Sequence, residues 1–294
     1  METKTLLDFD GTLTDEVKQA EELAIIAKNM LSEILDRPLT AIEELYEEIK
    51  WNILARPEAY RWFVNGQPAS YAHEGAYIIN TVILQEMICS HTAFVNKIKK
   101  QFPAGEMDSV TQCVNHLFHM GSSNVDPHFL LGVRDFLVDL MNHPDIDPAI
   151  FTNSKTDKIA RNLANIQIGK KGDHHDYDKE IEVIGDTQQY FIDPSWPGPL
   201  QILPIDHTFR IDLRRPKYYQ ALRNLTDQGY DIIVAADGFS LAGALPLTMN
   251  LKFILLKTDY TPNWSENYVH SHPNGKVVKG IEELHQAIIA LTNK

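Results

Sequence analysis

The sequence has few cysteines and lacks any long apolar run. Only Cys89 and Cys113 occur in 294 residues, and their spacing is not that of a metal motif, which argues against a disulfide scaffold or a cysteine zinc site. No segment reaches the roughly 18 uninterrupted apolar residues of a membrane span. An apolar run that starts near residue 5 leaves no room for a signal peptide before it. We therefore expect a cytoplasmic protein that does not bind membranes.

Basic residues are also scarce. The chain has 27 Lys and Arg against 40 Asp and Glu, a formal net charge of -13. Such a field repels polyanions, so nucleic acid is not expected as a partner. The apolar share of 44% and the charged share of 23% are ordinary for a folded globular protein. The length suggests one large domain or two modest ones, and the patterns below favour two.

Hydrophobic periodicity divides the chain into two kinds of segment. Residues 5–9 form a predicted buried strand, whereas apolar spacing over 15–126 is helical and indicates an all-helical insertion. From residue 127 onward, predicted strands alternate with helices, which is typical of a doubly wound, mostly parallel α/β sheet. We predict an α/β core of residues 1–14 and 127–294, a helical domain of 15–126, and a small second insertion at 187–210.

The segment Leu6-Leu7-Asp8-Phe9-Asp10-Gly11-Thr12-Leu13-Thr14 places two carboxylates one residue apart, where an apolar run ends in a Gly-Thr turn. Two acids held close together need a cation or separate acid and base roles. Taken alone, an Asp-x-Asp-Gly segment is more often a turn with solvated acids. The surrounding pattern is what favours chemistry at this place.

This segment resembles the first motif of the haloacid dehalogenase (HAD) superfamily, and later segments resemble its other motifs. Ile150-Phe151-Thr152-Asn153-Ser154 is similar to the second, and Lys217 at a helix start to the third, with Arg214 and Arg215 as rivals. Ala235-Ala236-Asp237-Gly238 is similar to the fourth. Two features depart from that motif: Ala236 replaces the usual glycine, and Leu241 or Ala242 stands where a second acid is expected.

The resemblance implies a HAD-like, Rossmannoid core with a helical cap inserted between the first and second motifs. It also implies a phosphatase that forms an aspartyl-phosphate, with Asp8 as nucleophile and Asp10 as general acid and base. The implied site comprises catalytic Asp8, Asp10, Thr152 and Lys217; substrate-binding Thr152, Asn153 and Lys217; and Mg²⁺ ligands Asp8, Asp10 and Asp237. Arg61 is a further candidate substrate-binding residue, located in the inserted segment.

The implied substrate is a small phosphorylated metabolite, because a large cap excludes macromolecules. Two alternatives stay open at this point. A phosphomutase would share Asp8 and Asp10, and a noncatalytic binding or regulatory protein would account for the missing second acid at Leu241 or Ala242. Neither the substrate nor the oligomeric state follows from the sequence.

Overall fold

The computed structural model describes residues 2–122, 125–173 and 177–292 of the chain. They form two compact units, one of Met1–Asp15 with Pro127–Lys294 and one of Glu16–Asp126. The strands are β1 (Thr3–Leu7), β2 (Arg61–Val64), β3 (Gln67–Tyr71), β4 (Ile146–Phe151), β5 (Gly169–Lys170), β6 (Glu180–Ile184), β7 (Ile202–Pro204), β8 (Arg210–Asp212), β9 (Asp231–Ala236), β10 (Lys252–Leu256) and β11 (Gly275–Val278). The helices are α1 (Glu16–Leu35), α2 (Leu39–Ala55), α3 (Ala76–Cys89), α4 (Thr92–Gln101), α5 (Ser109–Ser122), α6 (Val133–Asn142), α7 (Thr156–Ala164), α8 (Pro216–Asp227), α9 (Ala244–Thr248), α10 (Asn263–Ser271) and α11 (Gly280–Thr292).

The first unit is built on a seven-stranded sheet in the order β11-β10-β9-β1-β4-β6-β5, and each neighbouring pair is parallel. The predicted doubly wound α/β class is therefore confirmed. Every residue of β1 is buried, as expected for a central parallel strand with both faces covered. Leu6 and Leu7 point to opposite faces and join separate apolar clusters, one on each side of the sheet.

A buried ammonium lies across three strands of this sheet. Lys4 of β1 is 3% exposed, and its Nζ is 2.5 Å from both Asp147 of β4 and Glu182 of β6. Burial alone would lower the pKa of Lys4, but the bonds to the two acids outweigh burial and raise it. Burial likewise would raise the pKa of Asp147, yet Lys4 and Lys171 lower it. Each charge thus needs its partners in order to be buried.

We expect Lys4→Met to lower the free energy of unfolding by about 2–4 kcal/mol, because it removes the buried ammonium shared by Asp147 and Glu182 and leaves only the exposed Lys171 beside Asp147. Lys171→Met is the matched control. Lys171 also bonds Asp147, at 3.2 Å, but it is 53% exposed, so its loss should cost under about 1 kcal/mol. Denaturant unfolding measures both changes. An equal effect of the two substitutions would contradict the prediction.

The difference between wild type and Lys4→Met should also depend on pH. The folded pKa of Asp147 lies below its ordinary value of 3.8, so its contribution to stability is present above that value. That contribution is lost as the pH falls through the lower, folded pKa. We therefore expect the difference in unfolding free energy to be largest near neutral pH and to shrink in acid.

The segment predicted as a small second insertion contributes no strand to the seven-stranded sheet. Its extended part pairs as a short antiparallel ribbon, in which Ile202–Pro204 bonds Arg210–Asp212. The rest of 187–201 is irregular in the described structure. Leu203 and Ile205 pack against the apolar cluster that contains Leu6, so this ribbon is attached to the core by apolar contacts.

The second unit contains helices α1–α5 and is not all-helical, which corrects the prediction. Strands β2 and β3 form an antiparallel hairpin closed by Asn65 and Gly66, whose φ angles are +51° and +73°. Positive φ at both central residues defines the type I′ turn that Asn-Gly favours between paired strands. Gln85 of the largely buried helix α3 fixes the hairpin by bonding both backbone groups of Phe63.

Among the described residues, no single helix combines the length and apolar composition of a membrane span. Helices α3 and α4 meet those criteria only when taken together, and they are bent by 106° at their junction.

Candidate active site

Three parallel strands end beside one another at the proposed site. Asp8 follows β1, Thr152 follows β4, and Asp237 follows β9, so all three residues lie at the carboxyl edge of the sheet. Strands β4 and β9 are the two neighbours of β1. This edge is where ligands bind in open α/β sheets.

The turn after β1 depends on glycine. The backbone of Asp8 still belongs to the ladder, with its N–H bonding the Ala235 carbonyl at 2.9 Å, and the Asp8 Oδ1 accepts a bond from the Phe9 N–H at 2.8 Å. Gly11 then adopts a φ of +78°, and a Cβ there would lie 2.2 Å from the Asp237 Oδ2. Only glycine permits this approach of the turn to the carboxylate.

Thr12 also fixes the position of Asp237. Its buried hydroxyl accepts a bond from the Asp237 backbone N–H at 3.1 Å and lies 3.4 Å from the carboxylate Oδ1 of the same residue. The Gly-Thr pair of the first motif thus positions the acid of the fourth motif, about 225 residues later in the chain.

The carboxylates that converge here repel one another. Burial, then the charges of Asp237 and Asp10, raise the pKa of Asp8 well above its ordinary value. The Phe9 N–H and the Thr152 hydroxyl oppose this shift, because both donate hydrogen bonds to the Asp8 carboxylate. The structure therefore brings Asp8, Asp10, Thr152 and Asp237 together, so that the negative charges of Asp237 and Asp10 act on Asp8.

Asn153 faces a different partner from the one proposed for it. Its Oδ1 accepts bonds from the Gln189 N–H at 2.8 Å and the Thr187 hydroxyl at 3.3 Å. Backbone bonds continue this connection, because the Thr187 N–H bonds the Thr152 carbonyl at 3.1 Å. In this structure the Asn153 amide therefore joins the second motif to the loop after β6.

The three candidate cations differ in their surroundings. Lys217, about half exposed, pairs with Asp186 at 3.0 Å and makes no bond to Asp8 in the described structure. Arg214 forms a two-pronged pair with Asp212 and also bonds the Pro194 carbonyl. Arg215 is 1% exposed, and its guanidinium bonds the carbonyls of Asp212 and Gln189.

Tyr218, in the first turn of α8, bonds the segment that follows Asp237. Its fully buried hydroxyl donates to the Ala242 carbonyl at 2.6 Å. Burial and then the charge of Asp8 raise the pKa of Tyr218 well above its ordinary value, while Arg215 opposes the shift. The Tyr218 hydroxyl therefore lies within the electrostatic reach of both the Asp8 carboxylate and the Arg215 guanidinium.

Arg61 lies in the second unit and is held there by its own neighbours. Its guanidinium lies 3.9 Å from the centre of the Tyr71 ring, and one Nη donates to the Glu58 carbonyl at 2.6 Å. Stacking and a carbonyl bond both orient the planar group within that unit. Its proposed part in substrate binding stays a prediction.

The departures in the fourth motif have a structural setting. Ala236 is completely buried at the end of β9. The residues that follow Asp237 form a π-helical turn, Phe239–Gly243, which carries one more residue per turn than an α-helix. Ala242 is 2% exposed and belongs to the apolar core, whereas Leu241 is partly exposed. Of the two positions considered for a second acid, only Leu241 is open to solvent.

Sequence reasoning assigned no role to two residues of the described site. Thr12 supports Asp237, as given above, and the Ser154 hydroxyl donates to the Asp10 Oδ2 at 2.8 Å. Both residues belong to motif segments that the sequence analysis named. Their hydrogen bonds to Asp237 and Asp10 did not follow from the sequence. Ser154 lies two residues after Thr152 in the second motif. That spacing does not by itself show that the fold brings Ser154 beside Asp10.

No protein-family model matches the chain, and no curated protein matches it at a significant level. Solved structures do align along nearly its whole length. The candidate HAD hydrolase YfnB of Bacillus subtilis, solved with bound magnesium, is 14% identical over 98% of both chains with a TM-score of 0.47. A 2-haloacid dehalogenase of Pseudomonas syringae is 12% identical over 99% of this chain and 100% of its own, also at 0.47.

A haloacid dehalogenase-like hydrolase of Streptococcus pneumoniae is 13% identical over 99% of this chain and 98% of its own, at 0.47. Proteins at such low identities often catalyse different reactions, so these similarities do not assign an activity to the chain. The strand order and the parallel pairing give the chain a doubly wound α/β fold, with a further segment inserted after the first strand.

Proposed function

We propose that this protein is a magnesium-dependent phosphatase that hydrolyses a small phosphorylated metabolite through an aspartyl-phosphate. The observation that carries the proposal is the convergence of Asp8, Asp10 and Asp237 beside the Thr152 hydroxyl at the carboxyl edge of a parallel sheet. Such an edge with a nucleophile, a second acid and a hydroxyl donor suits phosphoryl transfer.

The residues present fit a magnesium ion. The described side chains include no group of three or more His, Cys, Asp or Glu residues arranged to hold a metal, but Mg²⁺ needs only one or two carboxylates when substrate and water complete its shell. Asp8 and Asp237 would supply carboxylate oxygens, and Asp10 its backbone carbonyl. The charge on Asp237 that raises the pKa of Asp8 is the kind that a bound cation neutralises. When bound, Mg²⁺ would stabilise the charge on the transferring phosphoryl group.

In the proposed mechanism, a carboxylate oxygen of Asp8 attacks phosphorus while the bond from phosphorus to the ester oxygen breaks. Asp10 gives its proton to that departing oxygen. A water molecule then attacks the phosphoryl group on Asp8, and Asp10 takes the proton of the water. Inorganic phosphate leaves and Asp8 returns to its starting carboxylate.

Two further residues would bind the transferring group. The Thr152 hydroxyl, which bonds Asp8 here, would donate to a phosphoryl oxygen. Lys217 supports the proposal as the cation, because its ammonium is about half exposed and pairs with the Asp186 carboxylate, whereas Arg215 is buried and Arg214 is held by both Asp212 and the Pro194 carbonyl. An exposed pair of this kind is weak, so Lys217 can exchange Asp186 for phosphate.

The test is phosphate release from a panel of phosphorylated sugars, nucleotides and small acids, with Mg²⁺ or with EDTA. We expect at least one substrate to be hydrolysed, with a loss of at least about 10-fold in EDTA that added Mg²⁺ reverses. Isomerisation of a sugar phosphate without release would indicate a phosphomutase. A rise in melting temperature with Mg²⁺ but no turnover of any substrate would indicate a noncatalytic binding protein. Turnover unaffected by EDTA would contradict the metal requirement.

A further inference from the structure

The Ser154 side chain forms a bond that the mechanism above does not use. Its hydroxyl donates to the Asp10 Oδ2 at 2.8 Å, although the two residues are 144 positions apart in the chain. Asp10 Oδ1 is buried and has no hydrogen-bond partner among the described residues. The two oxygens of the proposed acid and base are therefore unequal, since one is held and the other is free.

The Ser154 backbone is fixed without help from this hydroxyl. Its N–H bonds the Thr152 Oγ1 at 3.2 Å, and its carbonyl accepts from the Asp186 N–H at 3.0 Å. The loop after β6 packs tightly against it, because a Cβ on Gly185 would lie 2.6 Å from the Ser154 carbonyl oxygen. The hydroxyl is thus presented to Asp10 by a rigid segment and is not needed to form that segment.

We propose that Ser154 is a positioning residue for Asp10: its hydroxyl holds Oδ2, so that Oδ1 is the oxygen that exchanges the proton. In the first step the Oδ1–H bond breaks and the proton goes to the ester oxygen as its bond to phosphorus breaks. In the second step Oδ1 takes a proton from the attacking water. A carboxyl group that rotates freely directs the reacting oxygen towards the substrate for only part of the time. Holding the other oxygen in place raises the fraction of molecules in the reactive geometry. This inference rests on the proposed function.

The test compares substrates that differ in their need for a proton. An alkyl phosphate releases a strongly basic oxygen that must be protonated, whereas 2,4-dinitrophenyl phosphate releases an anion that needs no proton. The quantity compared is kcat/KM, which reports the steps up to departure of the leaving group and excludes hydrolysis of the phosphoenzyme. We expect Ser154→Ala to lower kcat/KM by about 10- to 100-fold for the alkyl phosphate and by under about 3-fold for the dinitrophenyl ester.

Two control variants separate positioning from general damage to the loop. Ser154→Thr keeps the hydroxyl and should restore most of the activity towards the alkyl phosphate. Thr156→Ala removes a nearby hydroxyl that bonds the Gly185 N–H at 3.3 Å and should not change the ratio between the substrates. In an Asp10→Ala background, Ser154→Ala should cause no further loss on the alkyl phosphate.

An equal loss on both substrates, or no loss on either, would overturn the assignment of Ser154 while leaving a phosphatase in place. Failure of the wild-type protein to hydrolyse any phosphate ester would overturn the proposed function, and the inference with it. If Ser154→Ala does not fold, Ser154→Cys replaces it. A thiol is a weak donor of similar size, and a smaller change of the substrate ratio in the same direction is then expected.

Discussion

Asp8→Asn should reduce phosphate release by at least about 10⁴-fold, because an amide cannot form the covalent bond to phosphorus that the proposed mechanism requires. Loss of a nucleophile that acts in concert with its neighbours costs on the order of 10⁴ to 10⁶ in kcat. The measurement is phosphate release with Mg²⁺ and the best substrate of the panel. Activity that survives this substitution would rule out an aspartyl-phosphate on Asp8.

The same substitution should not weaken the fold. Burial and then the charges of Asp237 and Asp10 disfavour a charged Asp8, as its raised pKa indicates, so a neutral amide removes a buried charge that two neighbours repel. We therefore expect the melting temperature of Asp8→Asn, measured in EDTA, to equal or exceed that of the wild type. Loss of activity together with retained or increased stability identifies a group kept for chemistry and not for packing.

Asp8→Glu is the matched control for this prediction. It retains the negative charge but moves the carboxylate outward by one methylene, away from the Thr152 hydroxyl and the Phe9 N–H that now bind it. We expect a loss of activity without the gain in stability, and a smaller thermal stabilisation by Mg²⁺ than in the wild type. A stability gain in Asp8→Glu equal to that in Asp8→Asn would show that repulsion is not the cause.

Much of this arrangement followed from the sequence because it depends on local rules. Apolar strands that end in Asp8, Thr152 and Asp237 predict one shared edge as soon as the sheet is parallel. That inference needs only the parallel orientation of the strands and the residue that follows the carboxyl end of each strand. The sheet order places β1 between β4 and β9, which brings these three residues together.

Other features depend on long-range contacts or on rotation about a helix axis. Pro216 indicates where α8 begins, but each residue advances about 100° around a helix, so the start alone does not decide between Arg215 and Lys217. In the structure Arg215 is buried and bonds backbone carbonyls, whereas Lys217 is about half exposed and pairs with Asp186, and these contacts favour Lys217 as the proposed cation. The hairpin at Asn65-Gly66 is a different case, because its turn signal was present in the sequence and helical periodicity on both sides obscured it.

The π-helical turn after Asp237 is the feature that most limits prediction of the fourth motif. One extra residue in a turn rotates all later side chains by about 100° relative to an α-helix, so counting from Asp237 does not reveal which residue points inward. In the structure Ala242 enters the apolar core together with Leu6 and Val234. An acid placed there would enter that core and not the metal site.

We therefore expect Ala242→Asp to lower the free energy of unfolding by about 3–5 kcal/mol, because it buries a carboxylate in an apolar cluster where the Tyr218 hydroxyl already bonds the Ala242 carbonyl. Leu241→Asp is the matched control one residue earlier. Leu241 is partly exposed, so this change should cost under about 1 kcal/mol, and we expect it to tighten Mg²⁺ binding by about 10-fold. Denaturant unfolding and the dependence of melting temperature on Mg²⁺ measure these effects. An Ala242→Asp protein as stable as Leu241→Asp would show that the turn does not direct Ala242 into the core.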